Sequence, residues 1–306
     1  MFRRILVPLD GSKTAECALP YARTLAEQLA ADVELFEVIN FGDVAENVSA
    51  GTPEMILNNK NLIRMQEEYL TQIAKSFPNI TTRWRIERGA ASSIIIDAAA
   101  ADRETLIIMA SHGRSGIRRW LLGSVAEKVL RGTTTPLLLV RGSEQTLAES
   151  KATLRSIVVP LDGSKLGELA LASALELAHS LNIEVVLLRA YEFAATAYYR
   201  ADDYPSGAEA FIPNYAELVE ETTREAREYL DTKIKEIGAR ESVRVRAKII
   251  EGPAAERIID FAGTTAGSLI AMCTHGQSGL RRWMLGSVTE KVARHAQNPI
   301  FAVKDA

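Results

Sequence analysis

The stretch Val7 to Lys13 reads VPLDGSK, and the same seven letters return at Val159 to Lys165, 152 positions later. A second match joins Ile107–Arg131 to Ile270–Arg294, with 17 of 25 positions identical at a spacing of 163. A repeat of this length indicates a duplicated domain rather than an array of small units. The sequence therefore predicts two homologous domains at residues 1–143 and 152–306, joined by the short polar linker of residues 142–153.

The two spacings differ by 11 residues, so the second copy carries an insertion between Ala190 and Gly252. The residues from Tyr198 to Ile212 include Pro205 and paired aspartates, which is typical of an irregular loop. We place the insertion there.

The composition is that of a globular protein, with 47% hydrophobic and 25% charged residues and a net charge of -3. This balance does not favour nucleic acid or a membrane surface as a partner. No apolar run reaches the roughly 20 residues of a membrane-spanning helix, and the first residues do not form a signal peptide, so we expect a cytoplasmic protein. Cys17 and Cys273 lie far apart, which excludes a disulfide framework and a zinc site.

Short apolar runs alternate with longer helical patterns in both copies, which predicts α/β domains with a parallel sheet covered on both faces. Pro20 must lie in the first turn of a helix or kink it. We place Pro8 and Pro160 near the carboxyl ends of their strands, where pairing is finishing. The predicted strands of the first copy are Ile5–Leu9, Val33–Ile39, Arg83–Glu87, Thr105–Ala110 and Pro136–Val140, and those of the second are Ser156–Leu161, Glu184–Tyr191, Val243–Ile250, Ser268–Cys273 and Pro299–Val303.

Unusual residues follow the first and fourth strands, at the sheet edge where open parallel sheets bind ligands. Asp10 and Asp162 precede Gly-Ser, which suits either a site carboxylate or an ordinary turn before a helix. After the fourth strand, the loops 110–127 and 273–290 carry glycine near both ends, which allows a phosphate to approach a helix start.

The same loops leave several alternatives open. Ser124 with Glu127, and Ser287 with Glu290, also fit a capping box that needs no ligand. The arginine pairs at 118–119 and 281–282 could bind a triphosphate or simply face solvent. The tryptophans that follow them, Trp120 and Trp283, are expected to pack in the fold rather than to bind a ligand. No G-x-S-x-G pattern occurs, so the sequence predicts no nucleophilic catalyst. The familiar phosphate-binding patterns, the P-loop and G-x-G-x-x-G, are also missing.

These features resemble the universal stress protein family in its tandem form. The resemblance rests on VPLDGS at the first strand, on the loop G-2x-G-9x-G-[ST] and on the short final strand, and it covers nearly the whole chain. The first glycine of the loop motif is replaced by Ala110 and by Cys273. The resemblance implies two Rossmann-like domains of the adenine nucleotide alpha hydrolase type, each with an open five-stranded parallel sheet and helices on both faces.

The resemblance also implies a nucleotide site in each copy. Asp10 and Asp162 would contact the adenosine, the backbone of Val38 and Ala190 would meet the adenine, and the glycine-rich loops would hold ribose and phosphates. The implied site residues are Pro8, Leu9, Asp10, Val38, Ala110, His112, Gly113, Gly123, Ser124 and Val125 in the first copy, and Pro160, Leu161, Asp162, Ala190, Cys273, His275, Gly276, Gly286, Ser287 and Val288 in the second.

We therefore expect a stress-response or signalling protein that binds ATP or another adenine nucleotide, with Mg²⁺, and hydrolyses it slowly or not at all. The fifth strands would pair the two domains within one chain, and a homodimer is a further expectation. The alternative is a stress scaffold that acts through protein contacts without nucleotide. A nucleotidyl transferase or fast hydrolase is disfavoured, because the sequence has no HIGH-like or KMSKS-like run and no acidic cluster for a metal.

Overall fold

The computed structural model describes residues 2–40, 53–111, 122–192, 215–238, 243–274 and 286–304. The chain forms two compact units. The first consists of Met1–Thr153, Thr274–Leu285 and Pro299–Ala306, and the second of Leu154–Cys273 and Gly286–Asn298.

The first unit alternates strands and helices in chain order. Its elements are β1 (Arg4–Leu9), α1 (Lys13–Glu16), α2 (Leu19–Leu29), β2 (Asp32–Ile39), α3 (Pro53–Ala74), β3 (Thr82–Arg88), α4 (Ala91–Ala100), β4 (Thr105–Ala110), α5 (Ser124–Gly132), β5 (Leu137–Val140) and α6 (Glu144–Ala148).

The second repeat follows the same alternation. Its elements are β6 (Ser156–Pro160), α7 (Lys165–Leu181), β7 (Glu184–Tyr191), α8 (Tyr215–Gly238), β8 (Val245–Glu251), α9 (Ala254–Thr264), β9 (Ser268–Cys273), α10 (Ser287–His295) and β10 (Ile300–Val303).

The strand order in the first unit is β3-β2-β1-β4-β5-β10, and all neighbours from β3 to β5 are parallel. In the second unit the order is β9-β6-β7-β8, also parallel. The predicted α/β class with Rossmann-like parallel sheets is confirmed. Because the order reverses between β1 and β4, and between β6 and β9, a crevice is expected at the carboxyl ends of these strand pairs.

The last strand of the chain belongs to the first unit. β10 runs antiparallel to β5, with Ile300 opposite Leu139 and Phe301 opposite Leu138. All four residues of β10 are buried, and the ring of Phe301 meets that of Phe2 edge-on at 6.2 Å. The short apolar strand thus covers the edge that β5 would otherwise present.

Pro8 lies in β1 where its missing N–H has no consequence. The ladder between β1 and β4 ends at the pair Leu6 and Ile107, two residues earlier, while Pro8 still lies opposite Phe36 of β2. Pro160 is the last residue of β6. The predicted placement of both prolines is confirmed.

The segment around Pro20 forms two helices. α1 ends at Glu16, and α2 begins at Leu19 with Pro20 in its first turn. A proline there is tolerated because the first amides of a helix have no partner within the helix. The second copy lacks this proline and forms one helix, α7, over the equivalent residues.

The linker residues lie against the first unit. Arg23 Nη1 donates to the carbonyl of Ser150 at 2.9 Å, and Thr24 Oγ1 donates to that of Ala152 at 2.9 Å. The amide of Ala152 donates to the carbonyl of Pro20. These hydrogen bonds hold the C-terminal part of the linker, residues 150–152, against α2.

Candidate functional site

A cavity of about 240 Å³ opens at the carboxyl ends of β1, β2 and β4 in the first unit. The first turns of α4 and α5 complete its wall. It is lined by Pro8, Leu9, Asp10, Ala15, Phe36, Val38, Ala91, Ile95, Met109, Ala110, Gly123, Ser124, Val125 and Ala126.

The cavity brings together eight of the residues that the sequence assigned to the first site. These are Pro8, Leu9, Asp10, Val38, Ala110, Gly123, Ser124 and Val125. His112 and Gly113 lie outside the described residues, as do Arg118, Arg119 and Trp120.

Sequence reasoning missed the apolar part of the wall, which Phe36, Ile95 and Met109 provide together with Ala15, Ala91 and Ala126. One signal was available, because Phe36 is two residues from Val38 and so faces the same side of β2. This part of the cavity wall is consequently apolar.

Helix α5 begins without a side-chain cap. Its N-cap is Gly123, with φ -63° and ψ 146°, a residue that has no side chain to bond the first amides. The capping box between Ser124 and Glu127 does not form, because Ser124 is already the first helical residue. Glu127 instead pairs with Arg131 at 3.0 Å.

The consequence is a set of amides without partners in the helix. The first such bond in α5 runs from the amide of Glu127 to Gly123 at 2.8 Å, so those of Ser124, Val125 and Ala126 have no acceptor within the helix. All three residues line the cavity. A helix N-terminus of this kind suits an anion such as a phosphate.

Asp10 is oriented by the turn that follows β1. Its Oδ1 accepts hydrogen bonds from the Ser12 hydroxyl at 2.6 Å and from the Ser12 amide at 3.0 Å. Gly11 has φ +78°, which favours glycine. The Ser12 hydroxyl in turn caps α1 by accepting from the amide of Ala15 at 3.1 Å, so the carboxylate is fixed by a capped helix start.

Carboxylates surround the Tyr69 hydroxyl near Asp10. Tyr69 donates to Glu16 Oε1 at 3.4 Å. Burial raises the pKa of the Tyr69 hydroxyl, and the charges of Glu16, Glu37 and Asp10 raise it further. Among the cavity-lining residues themselves, Asp10 is the single titratable side chain.

The neighbouring strand β3 carries charged residues opposite Phe36 and Val38. Glu87 of β3 lies opposite Val38 in the strand register. Arg85 Nη1 donates to Glu87 Oε1 at 3.0 Å, and the Arg85 guanidinium lies 4.6 Å from the centre of the Phe36 ring.

The second copy repeats the turn after its first strand. Asp162 Oδ1 accepts from the Ser164 amide at 2.9 Å, and Gly163 has φ +86°. Burial raises the pKa of the Asp162 carboxyl, but hydrogen bonds from Ser164 and the charge of Arg189 outweigh burial, and the pKa is lowered.

The second loop start also matches the first. Gly286 is the N-cap of α10 and no side chain caps the helix, so the capping box of Ser287 and Glu290 does not form either. Thr289 Oγ1 donates to the carbonyl of Cys273 at 3.2 Å. Of the other predicted residues, Leu161 is buried, Pro160, Ala190 and Val288 are half-buried, and His275, Gly276, Arg281, Arg282 and Trp283 lie outside the described part of the chain.

The two copies differ in charge at equivalent positions. Where the first copy has Glu37, the second has Arg189, whose guanidinium lies 5.0 Å from the ring centre of Tyr229. Tyr229 donates to Glu168 at 3.3 Å, as Tyr69 does to Glu16. Glu16 pairs with Lys13 at 2.8 Å and Glu168 with Lys233 at 2.9 Å, so the charge difference between the copies lies in Glu37 and Arg189.

The model of the universal stress protein family matches residues 1–141 and again residues 153–304. The chain belongs to the universal stress protein family, in tandem form. The resemblance noted in the sequence is confirmed.

Known relatives agree with this assignment. A universal stress protein of Mycolicibacterium smegmatis is 22% identical over 98% of this chain and 96% of its own length. One from Methanocaldococcus jannaschii is 34% identical over 49% of this chain and 82% of its own length. The crystal structure of a universal stress protein from Archaeoglobus fulgidus shares the fold, with a TM-score of 0.69, 21% identity and 99% of each chain covered.

The described residues contain no group of three or more His, Cys, Asp or Glu side chains that could hold a metal ion. None of their helices combines the length and apolar character needed to cross a membrane.

Proposed function

We propose that this tandem universal stress protein binds ATP, or another adenine nucleotide, and acts in stress response or signalling with slow or no hydrolysis. The observation that carries the proposal is the cavity of the first unit. It has an apolar wall, a fixed carboxylate and an uncapped helix start within about 240 Å³. These three features suit the base, the ribose and the phosphates of a nucleotide.

The residues fit the parts of the ligand in order. Phe36 and Val38 give the base an apolar surface, and the carboxylate of Asp10 suits ribose hydroxyls. The amides at the start of α5 and the Ser124 hydroxyl suit phosphate oxygens. Mg²⁺ would be held mainly by the phosphates, since magnesium in nucleotide sites takes few protein ligands.

The proposal extends to the second copy through Asp162, Ala190, Cys273 and the start of α10 at Ser287. Support comes from the repeated Asp-Gly-Ser turn and from the uncapped Gly286. Two nucleotides per chain are therefore proposed.

We propose binding rather than rapid turnover. The described lining of the first cavity holds one carboxylate, Asp10, and no cysteine, histidine or lysine. Among these described residues, Asp10 has no second titratable group beside it for general acid-base chemistry.

One experiment tests the proposal directly. The freshly purified protein is denatured, any released nucleotide is identified, and moles per chain are counted. About two per chain support both sites, and about one supports the first alone. No nucleotide, together with no thermal shift on adding ATP and Mg²⁺, would contradict the proposal.

Matched variants connect the ligand to the cavity. Gly123→Val blocks the helix start sterically, and Ser124→Asp sets a negative charge against phosphate, so both should reduce the thermal shift and leave about one nucleotide per chain. Ser143→Asp is the control. It adds the same charge at the exposed start of α6, where aspartate also caps, and it should change neither readout.

A nucleotide-free scaffold is the second candidate. The observation in its favour is the methyl group of Ala110, which lines the cavity where the family motif has glycine. If the denatured protein releases no nucleotide and the purified chain instead binds protein partners stably, this second function is favoured.

We also propose that the domains, at 1–143 and 152–306, pair within the chain through their final strands, and that two chains associate as a homodimer. The antiparallel pairing of β10 with β5 supports the first part. Light scattering at several concentrations tests the second, and a monomer throughout would contradict it.

A further inference from the structure

We propose that the second unit binds a small phosphate ester in a surface cavity at the amino ends of β6, β7 and β8. This cavity has a volume of about 390 Å³, which is within the range of small-molecule sites. It lies at the opposite end of these strands from the proposed nucleotide site. The inference goes beyond the proposed nucleotide function and does not depend on it.

The polar groups of the cavity come from two strand starts and from the end of a helix. Arg155 directly precedes β6, and Arg244 directly precedes β8. His179 lies in the last turn of α7, and Asn182 is the C-cap of that helix. All four residues are exposed, so two guanidinium groups, an imidazole and a side-chain amide are accessible to one ligand.

The two guanidinium groups are not neutralised by the protein. Within the described part of the chain, the side chains of Arg155 and Arg244 form no ion pair. The cavity lining contains one carboxylate, that of Glu184, which pairs with Arg246 at 3.3 Å. The positive charge of the two arginines is therefore available to an anion.

The carboxyl end of α7 also borders the cavity, and free carbonyls there would repel an anion. Two of these carbonyls already accept backbone hydrogen bonds. The amide of Ile183 donates to the carbonyl of Ala178 at 3.0 Å, and the amide of Asn182 donates to that of His179 at 3.2 Å. The helix end therefore opposes an anion less than an uncapped end would.

The first copy shows the same position without free positive charge. The amide of Arg155 donates to the carbonyl of Gly267 at 2.8 Å, as the amide of Arg3 does to that of Glu104 at 2.9 Å. These matching bonds make the two arginines structurally equivalent. The Arg3 side chain pairs with the Glu104 carboxylate at 3.5 Å, whereas Gly267 has no side chain to pair with Arg155.

Two further differences between the copies change the charge in the same direction. His179 stands where the first copy has Glu27, which pairs with Lys151 at 2.7 Å. Arg244, the residue before the edge strand β8, stands where the first copy has Thr81 before β3. Acidic residues are thus lost and a basic one is gained around a single cavity, although the whole chain has a net charge of -3. This concentration of charge indicates an anion site.

The residue types favour a phosphate among anions. A guanidinium binds phosphate oxygens through paired N–H donors, and histidine and asparagine supply further donors. A phosphate monoester carries nearly two negative charges at pH 7, which matches two arginines. The cavity leaves room for an organic group beyond the phosphate. Since the overall charge does not favour a membrane or nucleic acid, the ligand class is a small soluble phosphate ester.

The test follows glycerol 3-phosphate by phosphorus NMR in the full chain carrying Ser124→Asp and Ser287→Asp. These two substitutions set negative charge at the starts of α5 and α10, which suppresses phosphate binding there. The titrations use low ionic strength because salt screens exposed charges. We expect saturable binding of one equivalent.

Three variants in this background connect the probe to the cavity. Arg244→Thr and His179→Glu copy the first repeat, and Arg155→Gln removes the other guanidinium. Each should weaken the affinity roughly tenfold, the usual effect of one lost charge-assisted hydrogen bond. Arg3→Gln is the matched control in the first copy and should leave the affinity unchanged. Circular dichroism and thermal unfolding confirm that each variant is folded.

Three results would overturn the inference. The first is the absence of saturable binding in the chain with the two aspartates, which would place any binding to the parent chain at the helix starts and so support the nucleotide proposal. The second is an affinity that Arg244→Thr and Arg155→Gln leave unchanged. The third is an equal loss in Arg3→Gln, which would indicate non-specific attraction. Release of no nucleotide from the purified protein would contradict the proposed function and leave this inference intact.

Discussion

Ser12 donates two hydrogen bonds to a single oxygen of Asp10, one from its hydroxyl at 2.6 Å and one from its amide at 3.0 Å. The same hydroxyl accepts from the amide of Ala15 and so caps α1. The orientation of the cavity's carboxylate is thereby coupled to a helix start.

Ser12→Ala removes both the cap and the hydroxyl contact. We expect the free energy of unfolding to fall by about 1 kcal/mol, the usual cost of a lost cap, and ATP binding in the first copy to weaken roughly fivefold because Asp10 is less fixed. Urea unfolding and calorimetry measure the two effects. Ser164→Ala makes the same change in the second copy, where Gly167 is the capped residue, and it should leave the first site unaffected.

Ala110 controls the space available to a ligand. It is buried and lines the cavity, so Ala110→Leu should abolish binding in the first copy by filling the groove, at an overpacking cost of about 1–3 kcal/mol. Ala110→Gly restores the family glycine. It should retain binding while lowering stability by about 0.5–1 kcal/mol, because glycine weakens a strand. If Ala110→Leu kept its affinity for ATP, the ligand would have to bind outside this cavity.

Glu34 makes the first copy sensitive to acid. Its side chain is 5% exposed and pairs with Arg4 at 3.2 Å, Arg83 at 2.7 Å and Arg85 at 3.0 Å. Burial raises the pKa of Glu34, but the hydrogen bond from Arg83 and the three positive charges outweigh it, so the pKa is lowered.

A lowered folded-state pKa means that the ionised carboxylate stabilises the fold above the unfolded-state pKa. This contribution is lost as the pH falls through the folded value. Glu34→Gln should lower stability at pH 7 by about 3 kcal/mol, as expected when one partner of a buried pair is removed. The deficit should shrink steadily towards acid in urea titrations at successive pH values. An equal deficit at all pH values would show that packing, and not charge, is responsible.

Arg23 holds the connection between the copies. It donates to the carbonyls of Ser150 and Ser76 at 2.9 Å each, and its guanidinium lies 5.1 Å from the Phe77 ring centre. Arg23→Met should therefore release the segment that contains Lys151, and trypsin should cut there roughly tenfold faster, as expected for the loss of about 1.4 kcal/mol of local protection. Mass spectrometry of the fragments measures the rate. Arg64→Met, which alters an exposed helical pair with Glu68, should not change it.

Much of the fold was predictable because its signals are local. The strands Thr105–Ala110, Glu184–Tyr191 and Ser268–Cys273 have the predicted bounds, since each is a short run of apolar or β-branched residues between turn residues. The cavity wall at Asp10 and Gly123 was predictable from position alone, because carboxyl ends of parallel strands share one edge.

Other features depend on contacts that are distant in sequence or on a shift of one residue. The capping box failed because Gly123, and not Ser124, occupies the N-cap. Glu34 sits in an apolar strand, and its three arginine partners come from two other strands. The charge difference between Glu37 and Arg189 becomes meaningful only when the register shows that both lie beside the site aspartates.

The pairing of β10 with β5 sets the order in which this protein can be completed during synthesis. The first unit contains the beginning of the chain and its last strand, Ile300–Val303. When only the first 153 residues have emerged from the ribosome, β5 has no partner strand on its outer edge. The edge of β5 is therefore covered only after the second repeat has been translated, and a nascent or truncated chain ending before Ile300 presents an apolar strand that another polypeptide can capture.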